Sequence, residues 1–213
     1  MSFPRVLFLT LIAKPLARIL TGADVVGREH LPAKGPAIVV ANHKSHVDTF
    51  LLLAIFPART LRYVRPAAAA DYFLKGRLMS WFSRNVIGIV PVERDKVGRD
   101  HDVLGPTRAA LAEGAIIVVF PEGTRGAASD QMGRLKSGVA RLAADIPEAP
   151  VVPVWIAGAG RVLPKGSGVP VPLNCSVNIG PALKWSGDRH AFMDEIRAAL
   201  EKLSVEAPPL RWS

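Results

Sequence analysis

AIVVANHKSHVDTFLLLAIF, residues 37–56, is the stretch whose reading decides the fold. It opens on an apolar, largely β-branched run, AIVVA (37–41), and closes on DTFLLLAIF (48–56), which has the length and composition of a helix. A strand with no polar alternation is covered on both faces, and a strand passed through a short loop to a helix is a unit of an α/β sheet. The rest of the chain repeats this alternation. LRYVRP (61–66), IGIVPV (87–92), AIIVVF (115–120), VVPVWIAG (151–158) and CSVNIG (175–180) read as strands. DYFLKGRLMSWFSR (71–84), GPTRAALAEG (105–114), GRLKSGVARLAAD (133–145) and HAFMDEIRAALEKL (190–203) read as helices. The expected fold is α/β, with a mixed, largely parallel sheet covered by helices. In such sheets ligands sit beyond the carboxyl ends of the strands, where the polar loop of the opening stretch lies. Pro153, inside VVPVWIAG, predicts a sheet edge or a bulge.

The 213 residues are 49% hydrophobic and 21% charged, enough for one large domain or a domain with an appendage. Lys and Arg number 27 against 18 Asp and Glu, a net charge of +9, so an anionic partner is expected. The basic residues form no long run and no zinc-finger, RNP or helix-turn-helix signature. A phospholipid surface therefore fits better than nucleic acid, which is not expected as a partner. Cys175 is alone, which excludes an internal disulfide and a cysteine metal cluster.

MSFPRVLFLTLIAKPLARIL (1–20) contains an apolar stretch, Val6–Ala13, bracketed by Arg5, Lys14 and Arg18. It is far short of the ~20 residues needed to span a bilayer. The expectation is an interfacial amphipathic helix over 1–22, its basic residues reaching headgroup phosphates, followed by one catalytic domain over 23–213. DYFLKGRLMSWFSR reads either as a second membrane- or acyl-contacting helix or as an ordinary core helix.

Within the polar loop, His43 and Asp48 are five apart, which on one continuous helix would separate them by roughly 140°. They meet only if His43 lies in the loop and Asp48 in the first helical turn. Ser45 is a suitable N-cap, and Ser45-x-x-Asp48 reads as a capping box that brings Asp48 back toward the cap. Asp48 is then a helix cap, a partner that fixes the tautomer of a general base at His43, or both. His46 suggests a metal ligand, but a third ligand at standard spacing is missing, and no metal is expected.

A second motif, FPEGTR (120–125), follows the strand AIIVVF. Pro121 stops the strand, Gly123 permits a tight turn, and Glu122 and Arg125 are presented at the same sheet edge as His43. Arg125 can grip a phosphate bidentately, and Lys136, read as early in the next helix, adds a second positive charge. A Glu122–Arg125 pair bracing its own turn is the alternative. GIVPVER (88–94) delivers Arg94 at another strand end. No G-x-S-x-G, P-loop or G-x-G-x-x-G motif is present.

NHKSHVD, GIVPVER, FPEGTR and VVPVW, in this order and at these intervals, resemble the blocks of the glycerophospholipid acyltransferase family, most of all the 1-acylglycerol-3-phosphate (lysophosphatidate) acyltransferases. The likeness runs over roughly residues 25–183. It implies that His43 is the base that deprotonates a free glycerol hydroxyl, with Asp48 its orienting partner. The hydroxyl would attack the thioester of acyl-CoA or an acyl carrier protein, the co-substrate, and lysophosphatidate would become phosphatidate. Glu122, Gly123, Thr124 and Arg125 match the acceptor-binding block, Arg125 being the implied phosphate ligand. Arg94 matches the arginine of the second block, and Lys136 a basic position after the third. No metal or organic cofactor is implied, and the expected location is peripheral, on the cytoplasmic face of a membrane. Lys44 and His46 depart from the smaller or neutral residues common at those positions. Another acceptor, such as glycerol-3-phosphate, another lysophospholipid or an aminolipid, is the alternative within this chemistry. A non-catalytic acyl-lipid-binding module is the alternative outside it.

Overall fold

A computed structural model describes residues 3–70, 76–92, 102–124, 132–163 and 169–208. Its centre is a seven-stranded sheet in the order β1-β7-β6-β2-β5-β3-β4. The strands are β1 (Asp24–Val26), β2 (Ala37–Ala41), β3 (Val64–Ala69), β4 (Val90–Val92), β5 (Ile116–Val119), β6 (Val151–Ala157) and β7 (Ser176–Ile179). Every pairing is parallel except β6 with β7. The expected mixed, largely parallel sheet is therefore the fold.

Helices cover both faces, which is why the central strands carry no polar alternation. Along β2, Ala37, Val39 and Ala41 turn to one layer and Ile38 and Val40 to the other, all fully buried. The first layer holds α1 (Phe3–Phe8), α2 (Lys14–Thr21), α3 (Val47–Ile55) and the short α4 (Ala58–Leu61). Beside α1 lies α5 (Arg77–Phe82), its Phe82 ring edge-on to Phe8 at 5.7 Å. The second layer holds α6 (Gly105–Ala112), α7 (Gly138–Asp145) and α9 (Arg189–Val205), while the short α8 (Ala159–Val162) follows β6 on the first. Asp188 caps α9 by accepting from the Ala191 amide at 2.7 Å.

Pro153 is neither at an edge nor in a bulge. It lies in β6, between β7 and β2, opposite Val40. The sheet tolerates it because its carbonyl faces the end of β7, accepting from the Gly180 amide at 2.9 Å just past the last β7 residue. The missing N–H falls where that ladder ends, so no interior rung is broken.

The N-terminal helix consists of two α segments joined by a π turn, Leu9–Ala13. Leu9, Ala13 and Ala17 pack into the core, while Leu7, Leu11, Ile12, Leu16 and Ile19 remain exposed. Arg5 does not reach outward as expected. It is 3% exposed and donates to the carbonyls of Leu61 (2.8 Å), Val64 (2.6 Å) and Ile87 (2.7 Å). Leu61 and Ile87 end helical turns and Val64 opens β3, and the guanidinium supplies donors to all three carbonyls. Burial, then Arg65, pushes the Arg5 pKa down to about 10. Of DYFLKGRLMSWFSR, residues 71–75 lie outside the described residues; α5 exposes Leu78 and Trp81. Among the described residues no helix is long and apolar enough to cross a membrane.

Candidate active site

The loop after β2 is set by Asn42. Its side chain donates to the Ile156 carbonyl (2.8 Å) and accepts from the Ile156 amide (2.7 Å), standing in for a backbone rung to β6. The chain can therefore leave the sheet at His43 without abandoning buried polar groups of β6. Ser45 then leads into α3. Its hydroxyl accepts from the Val47 amide (3.3 Å) and donates to the Leu163 carbonyl (3.0 Å), and its own amide donates to Asp48 Oδ2 (2.8 Å). The Ser45–Asp48 contact expected from the spacing is present, but Ser45 is not the N-cap the sequence suggests: the helix begins at Val47, so His46 holds the cap position, without a side-chain cap bond, and Ser45 stands one residue before it.

The same oxygen, Asp48 Oδ2, accepts from the Lys44 amide (2.6 Å) and lies 2.9 Å from His43 Nδ1. Asp48 is 1% exposed. A carboxylate at that distance accepts a hydrogen bond from Nδ1–H, which fixes the tautomer whose lone pair lies on Nε2, where the ring can accept a proton. His43 is pinned from two further sides. Its ring stacks on Phe120, centroids 4.1 Å apart at 21°. Its backbone amide donates to Glu122 Oε1 at 3.0 Å.

Glu122 is thus turned inward, behind the histidine. Its second oxygen accepts from the Gly133 amide (3.3 Å) and lies 3.9 Å from the buried Lys44 ammonium. Gly133 fits this contact, since a Cβ there would stand 2.9 Å from Oε2. Gly123 adopts a positive φ of 72°, and a Cβ on it would come within 2.7 Å of the Lys136 side chain. Glycine at 123 is what lets Lys136 lie against the turn. The Lys136 amide donates to the Pro121 carbonyl (2.8 Å), and its side chain is exposed. Lys136 precedes α7 and is not within it as the sequence suggests. The apolar periodicity that predicts a helix from 133 begins in a segment without regular secondary structure, where the Lys136 and Gly133 amides bond back to the turn.

The structure brings His43, Asp48, Glu122, Gly123 and Lys136 together; Thr124 follows, exposed, and Arg94 and Arg125 lie outside the described residues. Sequence reasoning misses Asn42, Phe120 and Lys44 as members of the site. Only their place inside the two motifs signals them. A cavity of about 380 Å³ opens at the carboxyl ends of β3 and β5, between Ala67–Ala69, Phe120, Gly123 and Lys136. His46 lines a second cavity, about 310 Å³ and walled by Phe8, Leu16, Phe50 and Leu163, between the N-terminal helix and the loop after β2. Among the described residues no His, Cys, Asp or Glu cluster could hold a metal ion. Cys175 is buried, which pushes its thiol up to about 12 and leaves it unreactive.

A family model described as Acyltransferase matches residues 22–157. The chloroplastic 1-acyl-sn-glycerol-3-phosphate acyltransferase BAT2 of Brassica napus is 31% identical over 150 residues, 68% of this chain and 40% of that protein. The 1-acyl-sn-glycerol-3-phosphate acyltransferase of Pseudomonas aeruginosa is 27% identical over 194 residues, 87% of this chain and 69% of that protein. The crystal structure of the 1-acyl-sn-glycerophosphate (LPA) acyltransferase PlsC from Thermotoga maritima shares the fold, with a TM-score of 0.73, 24% identity, and coverage of 98% of this chain and 81% of that one. The chain spans about 40% of the length of the Brassica relative it matches.

Proposed function

Because the chain belongs to the acyltransferase family, we propose that it transfers a fatty acyl group from a thioester to the free glycerol hydroxyl of lysophosphatidate. The observation that carries this reading is the 2.9 Å contact between His43 Nδ1 and the buried Asp48 carboxylate. The names of the relatives support lysophosphatidate as acceptor.

In this reaction Nε2 of His43 removes the hydroxyl proton as the oxygen attacks the thioester carbonyl. The tetrahedral intermediate then expels the thiolate, which receives that proton from the imidazolium. An ester bond forms, a thioester bond breaks, and the histidine ends neutral. Asp48 holds the ring in the productive tautomer and offsets the imidazolium charge. Glu122, bound to the His43 amide, positions the histidine rather than the acceptor. Lys136 faces the acceptor phosphate, with Arg125, Arg94 and Thr124 assigned to the same anion by their places in the motifs. A binding module would need no base, and this pair would have no task in it.

The enzyme works at a membrane surface, its exposed N-terminal leucines and isoleucines set into the headgroup region. The cavity beside His46 joins that face to the catalytic loop. Release of thiol from an acyl thioester, measured with lysophosphatidate and with the unphosphorylated monoacylglycerol, tests the acceptor. Turnover with lysophosphatidate at least about tenfold above that with monoacylglycerol is expected, one charge-assisted contact being worth ~1.5–3 kcal/mol. Equal turnover would reject a phosphate-binding site.

A further inference from the structure

A third cavity, about 470 Å³, lies where α2 crosses the carboxyl end of α3, on the flank of the N-terminal helix. Lys14, Arg18 and Arg28 line it together with Thr10, and no Asp or Glu is among its described lining residues. Two of the cations are fixed. Lys14 Nζ donates to the Phe56 carbonyl, and Arg28 Nη1 donates to the Ile55 carbonyl at 3.2 Å. The free carbonyls at the end of α3 therefore hold both charges at the cavity wall.

Burial, then the charge of Arg28, lowers the pKa of Lys14, and no acidic side chain is among the described residues lining the cavity. Thr10 Oγ1 is buried and has no hydrogen-bond partner. Thr10, Lys14 and Arg18 follow at intervals of four along one ridge, and the π turn Leu9–Ala13 falls within it. Such turns are frequent at functional places. The neighbouring ridge is the exposed apolar one, carrying Leu11, Ile12, Leu16 and Ile19.

We propose that the Lys14–Arg18–Arg28 cavity binds the phosphate of an anionic phospholipid headgroup, as a docking site distinct from the acyl-transfer centre. Arg18 and Arg28 present forked donors to the phosphate oxygens, and Lys14 adds a point charge. The acyl tails of the same lipid lie along Leu11, Leu16 and Ile19. A cationic cradle beside an apolar strip fits an amphiphile with a phosphate head better than a free anion. The inference rests on the membrane-facing reading of the N-terminal helix and is independent of acyl transfer.

Sedimentation of the full chain with phosphatidylcholine vesicles, with and without phosphatidylglycerol, tests it and reads binding without turnover. The double variant Arg18→Gln, Arg28→Gln should need roughly tenfold or more phosphatidylglycerol-containing lipid for half-binding. Lys184→Gln with Arg189→Gln removes the same charge from the surface on the α9 side of the sheet and should change it less than about twofold. Arg18→Lys with Arg28→Lys should recover much of the loss. The single variant Arg18→Gln, at an exposed position, reads the same effect should the double variant fold poorly. Equal losses in the two Gln pairs, or binding indifferent to phosphatidylglycerol, would overturn the proposal. So would thermal stabilisation of the wild type by inorganic phosphate combined with unchanged vesicle affinity in Arg18→Gln, Arg28→Gln, an outcome that assigns the cavity to free phosphate.

Discussion

At the scale of single residues, the site is held by two buried carboxylates with different tasks. Asp48 Oδ2 collects the His43 ring and two backbone amides, so it shapes the loop and orients the imidazole with one atom. Asp48→Asn keeps the shape but can no longer balance an imidazolium. Its kcat should fall by roughly 10²–10⁴-fold. Circular dichroism and thermal unfolding should show a folded protein, because the amide oxygen can still accept from the Lys44 and Ser45 amides. A variant with wild-type kcat would remove Asp48 from the mechanism. The pairing of His43 with Asp48 was legible in the sequence, because Ser45 at the right interval turns a 140° mismatch into a contact. The inward turn of Glu122 was not. Its partner 79 residues away, the His43 amide, is brought to it by the pairing of β2 with β5 and not by any local pattern.

At the scale of elements, the long buried strands announce themselves, since burial on both faces leaves runs such as AIIVV with no polar interruption. β1 does not. Only three residues long and partly exposed, it exists because β7 offers it a parallel edge. The antiparallel placing of β7 is equally silent, as a strand's direction in the sheet depends on the path of its connection. Pro153 misleads for the same reason: which side its missing N–H faces is a property of the assembled ladder. Helix ends follow local chemistry more closely, and α9 illustrates this with Asp188. Accepting from the Ala191 amide, first of all, holds the Asp188 carboxyl below its ordinary range. A depressed carboxyl stabilises the fold above its unfolded pKa and loses that contribution as pH falls through the folded one. Asp188→Ala should therefore lower Tm at neutral pH, and the difference from wild type should vanish in acid below the carboxylate range. A Tm difference that persists there would mean the cap acts through something other than its charge.

At the scale of the whole molecule, one side carries an apolar surface and a net charge of +9 rides on the chain. Leu11 is 63% exposed and Ile19 73%, on a helix whose other side is packed into the core. Such a patch marks a surface meant to be covered. Deleting residues 1–20 would also strip Leu9, Ala13 and Ala17 from the core and the Arg5 bonds from the body, so point substitution is the cleaner probe. Changing Leu11, Leu16 and Ile19 to Ser should abolish most vesicle sedimentation while leaving Tm close to wild type. Retained binding would show that another surface meets the membrane. The apolar strip was visible in the sequence; that its first basic residue faces inward was not, since Arg5 answers carbonyls 56 and more residues away.

The central claim is that His43 is the base of an acyl transfer. Its most direct test is the rate of thiol release from an acyl thioester in the presence of lysophosphatidate, compared between wild type and His43→Ala. The account predicts a fall of roughly 10²–10⁴-fold in kcat at unchanged stability; undiminished release by His43→Ala would contradict it.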